Sequence, residues 1–328
     1  MHLLARSVLV CGTGSARRPT QHVNANRQVC SMPLQRKFID AHLRMEPDAP
    51  TTSESVEAPL LMQGFPAARV NGNCVEDAPR ERRDYYLEGL VCTGNIAFAP
   101  DGTSAQIRQW EPVRGLRQAF VAQVDLLHPA IEKALDCYVD MERITGVSQL
   151  MAWNRAQQSP RPRSINLLAD PLWRKRLELL KRYDFRCGVE VLANQLPDLV
   201  SVIRACPEIG FTIEPMAWPL NGDAENYLRW KRGLADLADC DNVCVDVSAL
   251  ERVFGVCWPF ELAAPWITTA IETMGVSRCM FASHMTASEA EAGLTAMLVR
   301  YARLTQQYSE SEADSLFYRV ADHWFRPV

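Results

Sequence analysis

Residues 185–216 read FRCGVEVLANQLPDLVSVIRACPEIGFTIEPM, and this stretch carries the fold. An apolar run rich in β-branched residues, 185–192, gives way to a segment with helical apolar spacing, 195–206, and a second apolar run follows at 210–216. Strand, helix and strand joined by short links make a βαβ unit, whose strands are parallel.

The alternation extends in both directions. Further strand-like runs lie at 38–43, 89–98, 120–127, 144–153, 242–250 and 278–285, which with the first two makes eight. Helical spacing recurs at 171–183, 223–238, 259–274 and 287–307. In the first of these Leu172, Arg176, Leu179 and Leu180 follow three-four spacing behind Pro171, whose missing N–H costs nothing at a helix entry. Eight strands with following helices predict an α/β fold of the (β/α)8 TIM-barrel type, one domain over 38–328, rather than an open sheet. Residues 46–84, rich in Pro, Glu, Arg and Thr, are too long for a barrel turn and form an excursion after the first strand, either a lid or a poorly ordered insert.

Composition narrows the function. With 328 residues, 48% of them hydrophobic and 23% charged, and a formal charge of -4, the chain is neither disordered, collagenous nor a coiled coil. This balance lacks the clustered Lys and Arg that nucleic acid binding requires. Lysine occurs only at 37, 133, 175, 181 and 231, and no G-x-x-x-x-G-K motif exists, which removes P-loop chemistry. The 11 cysteines form no C-x-x-C pair, so they read as reduced core residues of a cytoplasmic protein; Cys240 and Cys244 have no second pair with which to build a structural zinc site. Residues 1–37 contain no Asp or Glu but six Arg or Lys. They read as an organellar presequence or as a disordered extension from an upstream start codon, with Met32 as the true start. Their apolar run around 3–10 is far short of the roughly 20 residues that span a bilayer, so no membrane partner is expected.

In such a barrel the strand ends that point toward the following helices form the catalytic face. His42, Glu190, Glu214, Asp246 and His284 stand at late positions of strands one, five, six, seven and eight. Buried carboxylates need partners, and two imidazoles with three carboxylates at one mouth make a general acid/base set; the same groups are also able to bind a divalent metal. Trp153, Trp218 and Trp258 follow strands in the same register and either wall a pocket or pack between barrel and helices. Other features carry less. The glycines of 11–18 follow no strand, His128 stands at a helix entry, and His323 lies on the last helix as a packing or capping residue.

The segments FIDAHL (38–43), ITGVSQLMAW (144–153), LLADPLWRKRLELL (167–180), FTIEPMAWP (211–219), NVCVDVSAL (242–250) and SRCMFASHM (277–285) resemble, in order and spacing, the amidohydrolase-related family. They are most similar to its branch of TIM-barrel hydrolases that includes lactonases acting on sugar lactones and pyrone dicarboxylates. The resemblance covers 38–327 and implies hydrolysis of a small molecule. The family's His-x-His on the first strand is here His42 followed by Arg44. Its two arginines around a glycine on the fourth strand are replaced by Thr145 and Ser148 around Gly146 and Val147. Its sixth-strand Asp/Asn-His pair is Glu214-Pro215, its seventh-strand lysine is Asp246, and its eighth-strand Asp or Asn is His284. The resemblance therefore implies loss of the binuclear metal centre: no cofactor is expected, with a divalent metal such as zinc as the alternative.

The function expected is metal-free hydrolysis of a small lactone, ester or amide. In that scheme His284 is the base, Arg44 the electrostatic partner, and Glu190 or Glu214 orients. Thr145, Ser148, Trp153 and Trp218 meet the substrate. The alternative is lyase or decarboxylase chemistry, or an inactive relative, which fold analogy alone does not decide. A homo-oligomer is left open.

Overall fold

The computed structural model describes residues 36–45, 85–95, 115–152, 166–218, 223–250, 254 and 260–328. All belong to one compact unit, Pro33–Val328. The expected N-terminal extension, the excursion at 46–84, Trp153 and Trp258 lie outside the described residues.

Each of the eight expected runs overlaps a strand, although β1, β2 and β3 begin two to four residues earlier than expected. They are β1 (Arg36–Arg44), β2 (Tyr85–Asn95), β3 (Arg117–Gln123), β4 (Ile144–Leu150), β5 (Arg186–Glu190), β6 (Phe211–Glu214), β7 (Val243–Val247) and β8 (Cys279–Phe281). They form one sheet in sequence order, and all seven neighbouring pairs are parallel. The described helices are α1 (Ile131–Val139), α2 (Pro171–Leu177), α3 (Leu196–Ala205), α4 (Ala224–Ala238), α5 (Phe260–Met274), α6 (Ala287–Leu304), α7 (Glu310–Asp314) and α8 (Val320–Phe325). None of the described helices is long and apolar enough to cross a membrane. The sheet is a nearly closed TIM barrel. Past β8 the chain returns to β1 through the N–H of His284 on the carbonyl of His42 and the N–H of Arg44 on that of Met285, both 2.8 Å.

Local chemistry sets the element ends. The Asp170 carboxylate caps α2 by accepting from the N–H groups of Leu172 and Trp173. The remainder of the helix expected at 171–183 tightens into 3-10 turns, Glu178–Tyr183, and stops at Asp184 with φ 53. Strands six to eight end earlier than their apolar runs. Pro215 has no N–H to continue the ladder, and left-handed backbone follows at Met216 (φ 51), Ala217 (φ 48), Ala249 (φ 55) and His284 (φ 54).

Strand alternation divides the core. Phe38, Leu90, Phe120, Val147, Ile213, Val245 and Phe281 pack toward the helices. Ile39, Ala41, Val91, Ala119, Val121, Cys244, Met280 and Ala282 fill the barrel together with Val320, Ala321 and Phe325 of the C-terminal segment. Trp324 donates from Nε1 to Thr212 Oγ1 at 2.8 Å, and Val328 exchanges backbone hydrogen bonds with Gln118. One end of the barrel is thus plugged by the chain's own C-terminus, which leaves the other for chemistry.

Candidate active site

His42 owes its aim to an inserted residue. On β1 Asp40 pairs with Leu90 and Leu43 with Cys92, so three steps oppose two. Such a bulge re-aims a side chain. Without it, His42 would share the helix-facing side of Asp40, since Ile39 and Ala41 face the interior. With it, the imidazole enters the mouth, and its Nδ1 lies 2.8 Å from Asp246 Oδ2 of β7. Asp246 is 1% exposed, and its Oδ1 is buried without a hydrogen-bond partner. The ring of His284 stands beside that of His42, centroids 4.7 Å apart and planes at 56°.

Glu214 ends β6, buried, and its Oε2 accepts from Ser148 Oγ of β4 at 2.7 Å. Gly188 of β5 makes this reach feasible: a Cβ there would lie 2.2 Å from Glu214 Oε1 and 2.7 Å from Cδ. Glu190, at the end of β5, pairs in register with Glu214. All five ionisable residues expected at the mouth are thus brought together.

Their charges act on one another. Burial alone would depress the His42 imidazole, but the hydrogen bond to Asp246 and the charges of Glu214, Asp246 and Glu190 outweigh it and raise the group to about 9. Burial pushes the Glu214 carboxyl up to about 7, against the pull of His42 and Ser148 and with the help of Asp246 and Glu190. At neutral pH the mouth therefore holds an imidazolium beside a carboxyl poised to gain or lose a proton.

The expected substrate contacts are placed differently from one another. Arg44 stands at the rim with its side chain 38% exposed, and its Nη2 donates to Glu289 Oε2 at 2.8 Å, the carboxylate that also caps α6. The cation that faces the three carboxylates is His42, not Arg44. Ser148 faces Glu214, while its neighbours Val147 and Gln149 face the other way. Gln149 marks that side as helix-facing, because its Oε1 accepts from Trp173 Nε1 at 2.9 Å. Thr145 stands where β4 carries an extra residue, Ile144 pairing with Phe120 and Gly146 with Val121, and its Oγ1 is buried without a hydrogen-bond partner. Trp218 is buried, donates to the carbonyl of Ser248 at 2.9 Å, and packs on Trp230, Phe254 and Trp266. That is where barrel-to-helix packing puts it.

Two residues escaped sequence reasoning. Gly188 is legible only once the register of β4, β5 and β6 is known. Asp40 was within reach, because it is a carboxylate in an apolar strand, the signal that singled out the others. As for metals, position 44 offers a guanidinium, which is no ligand, so the second imidazole of a His-x-His pair is missing. Among the described residues no three His, Cys, Asp or Glu side chains are arranged to hold an ion, so this donor set does not fit a metal centre built on a His-x-His pair.

The sequence model of the amidohydrolases matches residues 39–326. The uncharacterized protein y4mH of Sinorhizobium fredii is 21% identical over 235 residues, 71% of this chain and 78% of that protein. Among solved structures, an amidohydrolase from Burkholderia multivorans with bound zinc superposes at a TM-score of 0.63 and 15% identity, covering 90% of this chain and 100% of its own. A putative 2-pyrone-4,6-dicarboxylic acid hydrolase from Pseudomonas putida does so at 0.56 and 15% identity, covering 90% and 98%. At these identities the structural likeness speaks for the barrel alone.

Proposed function

The chain belongs to the amidohydrolase family, a family of hydrolases, and on that premise we propose that its barrel mouth hydrolyses a small lactone, ester or amide by acid/base chemistry without a metal ion. The observation that carries this reading is the His42–Asp246 bond of 2.8 Å beside a Glu214 carboxyl raised to about 7. Ionised Glu214 takes a proton from a water as its oxygen attacks the carbonyl carbon. The His42 imidazolium, its Nδ1 engaged by Asp246, offers Nε2–H to the oxyanion that develops. The tetrahedral intermediate collapses as the carbon–oxygen or carbon–nitrogen bond breaks, and Glu214 returns the proton to the leaving group. Ser148 holds Glu214 in place, and Glu190 and His284 line the same mouth.

A lactone is the first choice of substrate, because the Pseudomonas putida neighbour is named as a pyrone dicarboxylic acid hydrolase. The buried free thiols of Cys92, Cys187, Cys206, Cys240, Cys244 and Cys279 suit a reducing compartment, and we place the protein in the cytosol. The test is metal analysis of the purified protein followed by a lactone, ester and amide panel, with His42→Ala and Glu214→Gln as controls. Turnover that survives chelation and is lost in both variants is expected. Stoichiometric zinc or manganese required for turnover overturns the metal-free part. Folded protein with neither turnover nor ligand-induced stabilisation across the panel overturns hydrolysis and favours lyase-type or absent activity.

A further inference from the structure

Between β8 and β1 the barrel lacks a regular ladder, and a side chain supplies part of what is missing. Asp40 is 0% exposed. Its Oδ1 accepts from the N–H of Ser283 at 2.8 Å and from the N–H of His42 at 3.3 Å. One oxygen thus joins the backbone of His42 to the residue just before His284. The knot is drawn tighter by Ser283 Oγ, which accepts from the N–H of Met285 at 3.1 Å and donates to the carbonyl of His42 at 3.5 Å. Within it His284 takes a left-handed backbone, which a non-glycine residue adopts only when its surroundings impose it. The other oxygen of Asp40, Oδ2, is buried with no partner. A carboxylate so placed is expensive to bury, and packing alone would be served better by an apolar residue.

We propose that Asp40 is a positioning residue, whose single bridging oxygen sets the spacing and tilt of the His42 and His284 imidazoles across the seam of the barrel. It touches no reacting atom and works through the two backbones. Its effect on turnover rests on the hydrolytic reading above; its effect on the imidazoles does not.

The experiment compares wild type, Asp40→Asn and Asp40→Ala, each labelled with 15N-histidine, by imidazole resonances against pH, by kcat and KM on any lactone or ester turned over, and by Tm. Asn keeps the bridging acceptor, so its His42 and His284 resonances and titration are expected to match wild type, with kcat within about threefold. Ala removes the acceptor, and both imidazole signals are expected to move, with kcat lower by about tenfold or more and KM little changed, as displaced catalytic groups give. Should Asp40→Ala not fold, Asp40→Leu, similar in size and without an acceptor, takes its place. Loss in Asp40→Asn equal to that in Asp40→Ala overturns the proposal in favour of the charge. A lower Tm with unmoved imidazole signals, or failure of both apolar variants to fold while Asn folds, overturns it in favour of a purely structural role. If no panel compound is turned over by wild type, the resonances alone decide, and the hydrolytic reading falls without the positioning one.

Discussion

Glu214→Gln should make this protein more stable at alkaline pH while disabling it. The folded chain raises the carboxyl from 4.5 to about 7, chiefly because burial penalises its charged form. A raised folded value means that the folded state holds this proton more tightly than the unfolded chain does. Stability is therefore lost as pH rises from 4.5 to about 7, after which the loss is constant. At about 1.4 kcal/mol per pH unit the loss approaches about 3 kcal/mol, and Gln, which does not titrate, escapes it. Gln still accepts from Ser148 through its amide oxygen. The pull of the His42 imidazolium on the carboxylate is already contained in the value of about 7, so the expected gain stays at about 3 kcal/mol. Urea unfolding of both proteins at intervals between about pH 4.5 and 8.5 measures the difference directly. It should start near zero and grow through the window, while the acidic limb of kcat/KM expected near neutrality in wild type disappears with the activity. A stability difference independent of pH, or a Gln variant less stable at pH 8, would show that the fold accommodates the carboxylate without strain and would sink the assignment of Glu214 as a base.

Gly188→Ala places a methyl within 2.2 Å of Glu214 Oε1; overpacking of about 1–3 kcal/mol in thermal or urea unfolding and about a tenfold loss of turnover are expected. Wild-type stability with full activity would mean that Glu214 does not occupy this place. Arg44→Ala breaks an exposed pair with Glu289 and should cost at most about 1 kcal/mol in unfolding. Its kcat should stay within about fivefold of wild type, since His42 is the cation at the centre; a loss of about a hundredfold would restore Arg44 as the oxyanion partner.

The barrel was legible because strand and helix periods are written into the apolar residues, and each expected run overlaps a strand. The late ionisable positions were legible too, since burying Glu214 or Asp246 without purpose is costly. The roles within the site were not. The expectation that paired Arg44 with the substrate came from its place two residues after His42, and no sequence pattern discloses that Glu289, 245 residues away, claims it. Thr145 stands at a shift of register between β3 and β4, so its face is not readable from strand alternation. The bulge that aims His42 is an event between two strands, β1 and β2, joined by residues far apart in sequence, and its register exists only once they pair.

The left-handed corners at Met216, Ala217, Ala249 and His284 have an evolutionary consequence. Each lies within three residues of a strand end, so the direction in which the chain leaves the barrel is decided by backbone geometry before any connecting segment begins. Insertions, deletions or charge reversals beyond a corner are therefore expected to leave the aim of Glu214 and Asp246 untouched. Aim and reach are separate variables here, held apart by roughly 1 kcal/mol of standing strain per corner. A lineage built on this barrel is free to exchange the segments that follow the corners, with the ionisable groups of the mouth carried along unchanged.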